Sequence, residues 1–114
     1  MKKFFLIVFA ALLCITAFAQ RKGGETTGKL VGKHSGTPLE YVSVTLRDAA
    51  SHKVINGAMT DSAGLFRIDN IKYGTYVLQC SYVGCADYLT PSFKINSENP
   101  SERFNAIVID DSGL

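Results

Sequence analysis

The sequence predicts an all-β fold, an antiparallel sandwich of about seven short strands, preceded by a signal-peptide helix. Three observations carry that expectation. Beyond residue 20 no stretch holds a helical apolar period through three turns, whereas several alternate apolar and polar residues with the period of a strand. Clusters of turn-forming residues separate these runs at spacings of roughly ten residues. The chain has 114 residues, of which 46% are apolar, which is enough for one core and not for two.

The N-terminus reads as an export signal. Met1-Lys2-Lys3 is a basic start, and residues 4–18 are apolar apart from Thr16. Ala17-Phe18-Ala19 puts small residues at the two positions a signal peptidase reads, so residues 1–19 form the signal and the cut falls between Ala19 and Gln20. The apolar run is short of the roughly 20 residues a membrane span needs. A lipoprotein signal would want a small residue before Cys14, and Leu13 stands there. Residues 20–27 (QRKGGETT) read as a flexible leader. The expected location is the periplasm or the periplasmic face of the outer membrane.

The strands follow in order. Residues 28–33 open the sandwich, and Ser35-Gly36-Thr37-Pro38 turns the chain. In residues 41–47, Val42, Val44 and Leu46 share one face, while Tyr41, Ser43, Thr45 and Arg47 share the other. Residues 48–52 turn again before a strand over 54–60. Asp61-Ser62-Ala63-Gly64 is a hairpin loop in which Asp61 can cap backbone N–H groups and Gly64 can take positive φ. Phe66 and Ile68 then alternate with Leu65, Arg67 and Asp69. After a turn over 70–74, Tyr76, Leu78, Cys80 and Tyr82 form one face of a strand over 75–83, which Gly84 ends. Strands over 92–95 and 103–109 flank a polar, proline-containing loop. The sandwich therefore covers residues 28–109, and 110–114 form a C-terminal tail.

The order of these signals resembles a known family. Gly28-Lys29-Leu30-Val31 leads into Gly36-Thr37-Pro38-Leu39-Glu40-Tyr41-Val42-Ser43-Val44. A T-D-x-x-G-x-F stretch, Thr60 to Phe66, comes next, followed by Ile71, Gly74, Tyr76, Leu78 and Ser81-Tyr82-Val83-Gly84. This is similar to the carboxypeptidase-regulatory-like domain, a prealbumin-like sandwich, in the variant found behind the signal peptide of Bacteroidetes TonB-dependent outer-membrane receptors. The resemblance covers about residues 28–109. It implies that Pro38, Asp61, Gly64, Phe66, Gly74, Tyr76 and Gly84 are residues of the fold and not of a catalytic site. It also implies a non-catalytic module that docks an envelope or periplasmic protein, with pairing of a sheet edge as one route. Cys85 departs from the family, which often has an aromatic residue after the Val-Gly pair. The acidic tail resembles the start of the linker to the receptor plug. The remaining residues cannot supply even half the strands of a 22-stranded transporter barrel, at about 9–11 residues each. No transmembrane barrel is expected on this chain.

Other chemistry finds little footing. Twelve Lys and Arg face ten Asp and Glu, and Lys2 and Lys3 account for the surplus, so the domain itself is neutral and no nucleic-acid partner is expected. A zinc carboxypeptidase needs a His with a Glu three residues on, and Thr37 and Ile55 follow His34 and His52 at that offset. No G-x-S-x-G turn and no glycine-rich loop opening a helix occurs. Ala63 and Leu65 break any calcium-loop spacing after Asp61. No catalytic, cofactor or metal residue is therefore assigned. Cys80 and Cys85 would lie roughly 16 Å apart on an extended strand, beyond the reach of about 7 Å for a disulfide, unless the chain reverses sharply at Gly84. Tyr41, Tyr73 and Tyr88 are candidate surface aromatics. A coplanar row of them would favour the rival reading, a carbohydrate-binding module with a glycan ligand.

Overall fold

A computed structural model describes residues 23–112 of the chain. The expected signal segment, residues 1–19, lies outside them, as do residues 20–22 and 113–114. Eight strands follow one another: β1 (Gly24–Gly32), β2 (Ser43–Asp48), β3 (Val54–Met59), β4 (Leu65–Ile71), β5 (Gly74–Ser81), β6 (Tyr88–Leu89), β7 (Phe93–Ile95) and β8 (Ser101–Ile109). They form the expected sandwich. One sheet has the order β4-β1-β8, the other β3-β2-β5-β6, with β7 also paired to β5.

Alternation builds the core. The inward residues Val44 and Leu46 of β2, Phe66 and Ile68 of β4, and Leu78 and Cys80 of β5 are buried, with Leu30, Ile71, Ile95, Ile107 and Ile109 completing the layer. Aromatic rings close one side: Phe93 meets Phe104 edge-on at 5.4 Å between centroids, and Tyr76 lies 6.4 Å from Phe93. The Tyr76 hydroxyl escapes the apolar layer by donating to the Lys72 carbonyl at 2.6 Å.

Two buried threonines tie the chain where the ladders stop. The Thr60 hydroxyl donates to Leu39 O at 2.7 Å and accepts from Val42 N at 2.8 Å. The Thr90 hydroxyl accepts from Leu78 N at 3.0 Å, and Thr90 N donates to Leu78 O at 2.9 Å. Each satisfies a buried backbone group that would otherwise cost about 1–3 kcal/mol.

The structure departs from the sequence reading in four places. First, β1 begins at Gly24, so residues 24–27 belong to the sheet and not to a leader. Their inward positions are Gly24 and Thr26, which carry no apolar signal; a Cβ on Gly24 would lie 2.2 Å from the Ile95 Cγ2. Second, β1 and β8 pair in parallel, with Gly28 opposite Phe104. The 96–100 loop carries the chain from one sheet to the other, so β8 runs alongside β1 in the same direction, and the sandwich is not wholly antiparallel. Third, there are eight strands, because the two-residue β6 is too short to show a period. Fourth, the start of the tail is docked. Asp111 is buried, and its carboxylate accepts from His34 N at 2.8 Å and Ser35 N at 3.4 Å.

Candidate functional site

The side chains that could carry chemistry are committed to turns or scattered. Asp61 Oδ1 accepts from Ala63 N at 2.9 Å and Leu65 N at 3.0 Å, so its carboxylate closes the hairpin. Gly64, at φ 76°, completes that turn, and Pro38 packs beside it. His34 is exposed, 3.5 Å from Asp110, and His52 is exposed in the β2–β3 turn. Among the described residues no three His, Cys, Asp or Glu side chains gather as a metal site. No helix among them is long and apolar enough to cross a membrane. Gly74 starts β5, and Gly84, at φ 78°, makes the reversal after it, where Cys85 N donates to Tyr82 O at 3.0 Å.

Cys80 and Cys85 are free thiols. Cys80 is fully buried on the inner face of β5, and burial pushes its thiol up to about 12. Cys85 is half-buried against the same core.

The three tyrosines are exposed but do not form a row. Ser43 of β2 pairs with Ser81 of β5, and Tyr88 pairs with Cys80, so Tyr41 and Tyr88 lie towards one end of the larger sheet. Tyr73 precedes β5 at the other end, roughly 23 Å from Cys80 at about 3.3 Å per residue. Sequence spacing alone could not place them, because β2 and β5 run antiparallel.

Open clefts mark the surface. One, about 580 Å³, is lined by Lys29, Leu65, Arg67 and Arg103 with Met59 and Phe104. Another, about 450 Å³, lies beside it between Glu25, Arg67, Asp69 and Pro100. Arg67, which lines both, is held by Glu25 at 2.7 Å and by Asp69 at 2.8 Å, so its charge is already answered. A third, about 270 Å³, lies on the outer face of the larger sheet. Its side chains bond one another: Arg47 Nε donates to Gln79 at 2.6 Å, and Gln79 Nε2 donates to Asp87 at 2.8 Å.

The sheet edges differ more sharply. Edge strands expose unpaired N–H and C=O groups and are normally guarded by charge, proline or brevity. β4 carries Arg67 and Asp69, β8 carries Glu102 and Arg103, and β6 is two residues long. β3 has the sequence VINGAM, six residues without a charge, at the open side of β2. Val54, Ile55 and Met59 are 57%, 48% and 59% exposed. The strand was expected over 54–60, but with only Ala58 packed on the core nothing in its sequence marked it as a docking edge; the usable signal was the lack of charge in a run of strand length.

The family model of the carboxypeptidase regulatory-like domain matches residues 26–108. Among solved structures the fold is similar to a point variant of the major pilin subunit of Bacillus cereus, with TM-score 0.60 and 15% identity over 79% of this chain and 30% of that one. It is also similar to the group B streptococcus pilus 2b backbone protein, with TM-score 0.54 and 19% identity over 78% of this chain and 41% of that one. The 5-hydroxyisourate hydrolase of Klebsiella pneumoniae gives TM-score 0.54 and 16% identity over 75% of this chain and 90% of that one. At these identities the likeness is one of fold. The chain spans 30% of the length of the pilin variant it matches. No curated protein matches its sequence.

Proposed function

The chain belongs to the carboxypeptidase regulatory-like domain family, and from that membership we propose that it is a non-catalytic, exported interaction module of the envelope. It is of the kind that extends the N-termini of TonB-dependent outer-membrane receptors, and it works in the periplasm or at the periplasmic face of the outer membrane. The observation that carries the reading is the β3 edge, a six-residue strand with no charge and with exposed Val54, Ile55 and Met59. A strand from a partner adds there by main-chain hydrogen bonds, with the apolar side chains giving preference. The Lys2-Lys3 start, the apolar run and Ala17-Phe18-Ala19 support export. The commitment of Asp61 to its turn and the separation of His34 from His52 support a role without catalysis.

A photo-cross-linking residue placed at position 55, with one at position 102 of β8 as control, tests this in envelope fractions of cells making the full chain. Adducts are expected from position 55 alone, and Met59→Lys should abolish them. Equal adducts from both positions, or recovery of the chain outside the envelope, would overturn the reading.

A further inference from the structure

We propose that Asn56-Gly57 in β3 is a site of spontaneous deamidation, and that the carboxylate it leaves closes the β3 edge. The modification site stands on its own chemistry; its consequence rests on the reading of β3 as the docking edge. An Asn-Gly pair ordinarily marks a hairpin turn, yet this one lies inside a strand. Glycine weakens a strand, and neither conformation nor space requires one here. Gly57 is not among the left-handed glycines, and a Cβ on it would meet only Val44 O, at 3.4 Å.

Both residues are exposed. Thr60 N donates to Val42 O at 3.0 Å, and Ala58 and Asn56 pair with Val44 and Leu46 in step with it. The Gly57 amide therefore points away from β2 and takes no part in the ladder. It donates instead to Asn56 Oδ1 at 2.8 Å. With a C=O bond of about 1.2 Å, the Gly57 nitrogen lies within roughly 4 Å of Asn56 Cγ. Asn96, which precedes the small Ser97, is arranged otherwise. Its Oδ1 accepts from Glu98 N at 3.0 Å and from Asn99 N at 2.7 Å, amides further along the chain.

The reaction needs only water. Solvent takes the Gly57 N–H proton, and the nitrogen adds to Asn56 Cγ. The N–Cγ bond forms, the Cγ–Nδ2 bond breaks, and the side-chain nitrogen leaves with a proton as ammonia. Water then opens the cyclic imide. Cleavage at Cγ leaves an aspartate side chain; cleavage at the backbone carbonyl leaves isoaspartate, with the chain running through Cγ. Either product puts a negative charge on a strand that has none, the means by which the β4 and β8 edges are guarded. Isoaspartate also lengthens the backbone and breaks its step with Leu46. The change is one-way, so the edge is open in new chains and shut in aged ones.

The full chain, as recovered from the cells that make it, is aged at neutral and mildly alkaline pH and mapped by peptide mass spectrometry. Glycine leaves its nitrogen uncrowded, so Asn56 is expected to react on the order of tenfold faster than Asn96, and faster as pH rises. Gly57→Ala is expected to slow the reaction by about an order of magnitude while keeping the parent's circular dichroism. Asn56→Asp is expected to lose the position-55 adducts, and Asn56→Ser to keep the parent's yield. Asn56 reacting no faster than Asn96 would overturn the proposal and leave edge docking untouched. Equal adducts from Asn56→Asp and Asn56→Ser would overturn the closing of the edge. Absence of adducts from the fresh parent as well would refute the docking edge, while the peptide map still decides the modification site.

Discussion

Gly64 and Gly36 share a backbone conformation but not a neighbourhood, and the pair separates two costs. Their φ values are 76° and 67°. A Cβ at Gly36 would meet nothing within 4 Å, whereas one at Gly64 would lie 2.6 Å from Leu30 O and 3.1 Å from the Pro38 Cβ. Leu30 O cannot step aside freely, because it accepts from Leu39 N at 3.0 Å while Leu30 N donates to Gly64 O at 2.8 Å. Placing an L-residue in the left-handed region costs about 1–2 kcal/mol, partly offset by about 0.4–1 kcal/mol from a stiffer unfolded chain. By that difference, Gly36→Ala should cost about 0.5–1 kcal/mol. Gly64→Ala carries the same penalty plus the backbone shift, about 1–3 kcal/mol for overpacking, for a total of about 1.5–4 kcal/mol. Urea melts of the two variants, with equal m-values, read the difference directly. A Gly64→Ala loss no greater than that of Gly36→Ala would refute the clash and with it the close packing of the 61–64 turn on β1.

Further outcomes follow from the same structure. Thr60→Val, nearly isosteric, leaves Val42 N–H and Leu39 O unpaired in a buried site and should cost roughly 2–4 kcal/mol in denaturant melts; a loss under about 0.5 kcal/mol would show that the hydroxyl is dispensable. Hydrogen bonds from the His34 and Ser35 amides lower the Asp111 carboxyl below its ordinary value. Its stabilisation is then present above the unfolded value of about 3.9 and is lost as pH falls through the lower folded value. The urea-midpoint gap between parent and Asp111→Asn should close in acid, and a gap independent of pH would contradict the contact. Cys85 should alkylate in the native protein while Cys80, pushed up to about 12 by burial, reacts only on unfolding; equal labelling rates would contradict the burial.

The parts of the fold legible in the sequence are those where burial is one-sided. β2, β4 and β5 alternate because one face meets the core, and their turns carry Asp61, Gly64 and Gly84 for evident conformational reasons. β1 was partly hidden because its first inward positions are Gly24 and Thr26, chosen for space rather than for apolar area. The parallel pairing of β8 with β1 depends on which sheet the chain joins after residue 100, and no local residue states that. Asp111 read as tail because its partners, His34 and Ser35, lie far away in the chain. The candidate docking edge was hidden for the opposite reason to β1. β3 was expected as a strand over 54–60, but only Ala58 packs against the core, so nothing marked it as an edge, and that meaning appears only once its outer neighbour proves absent among the described strands.

The edge amides themselves offer the most direct measurement. Residue-resolved hydrogen exchange should be compared between the dilute isolated chain and the assembly recovered from the envelope. In the isolated chain Met59 should exchange fast, with Gly57 slower because Asn56 occupies its N–H. In the assembly both should become protected, while the outward amides of β8 keep their rates. Unchanged exchange at Met59, or protection confined to β8, would contradict β3 as the docking edge.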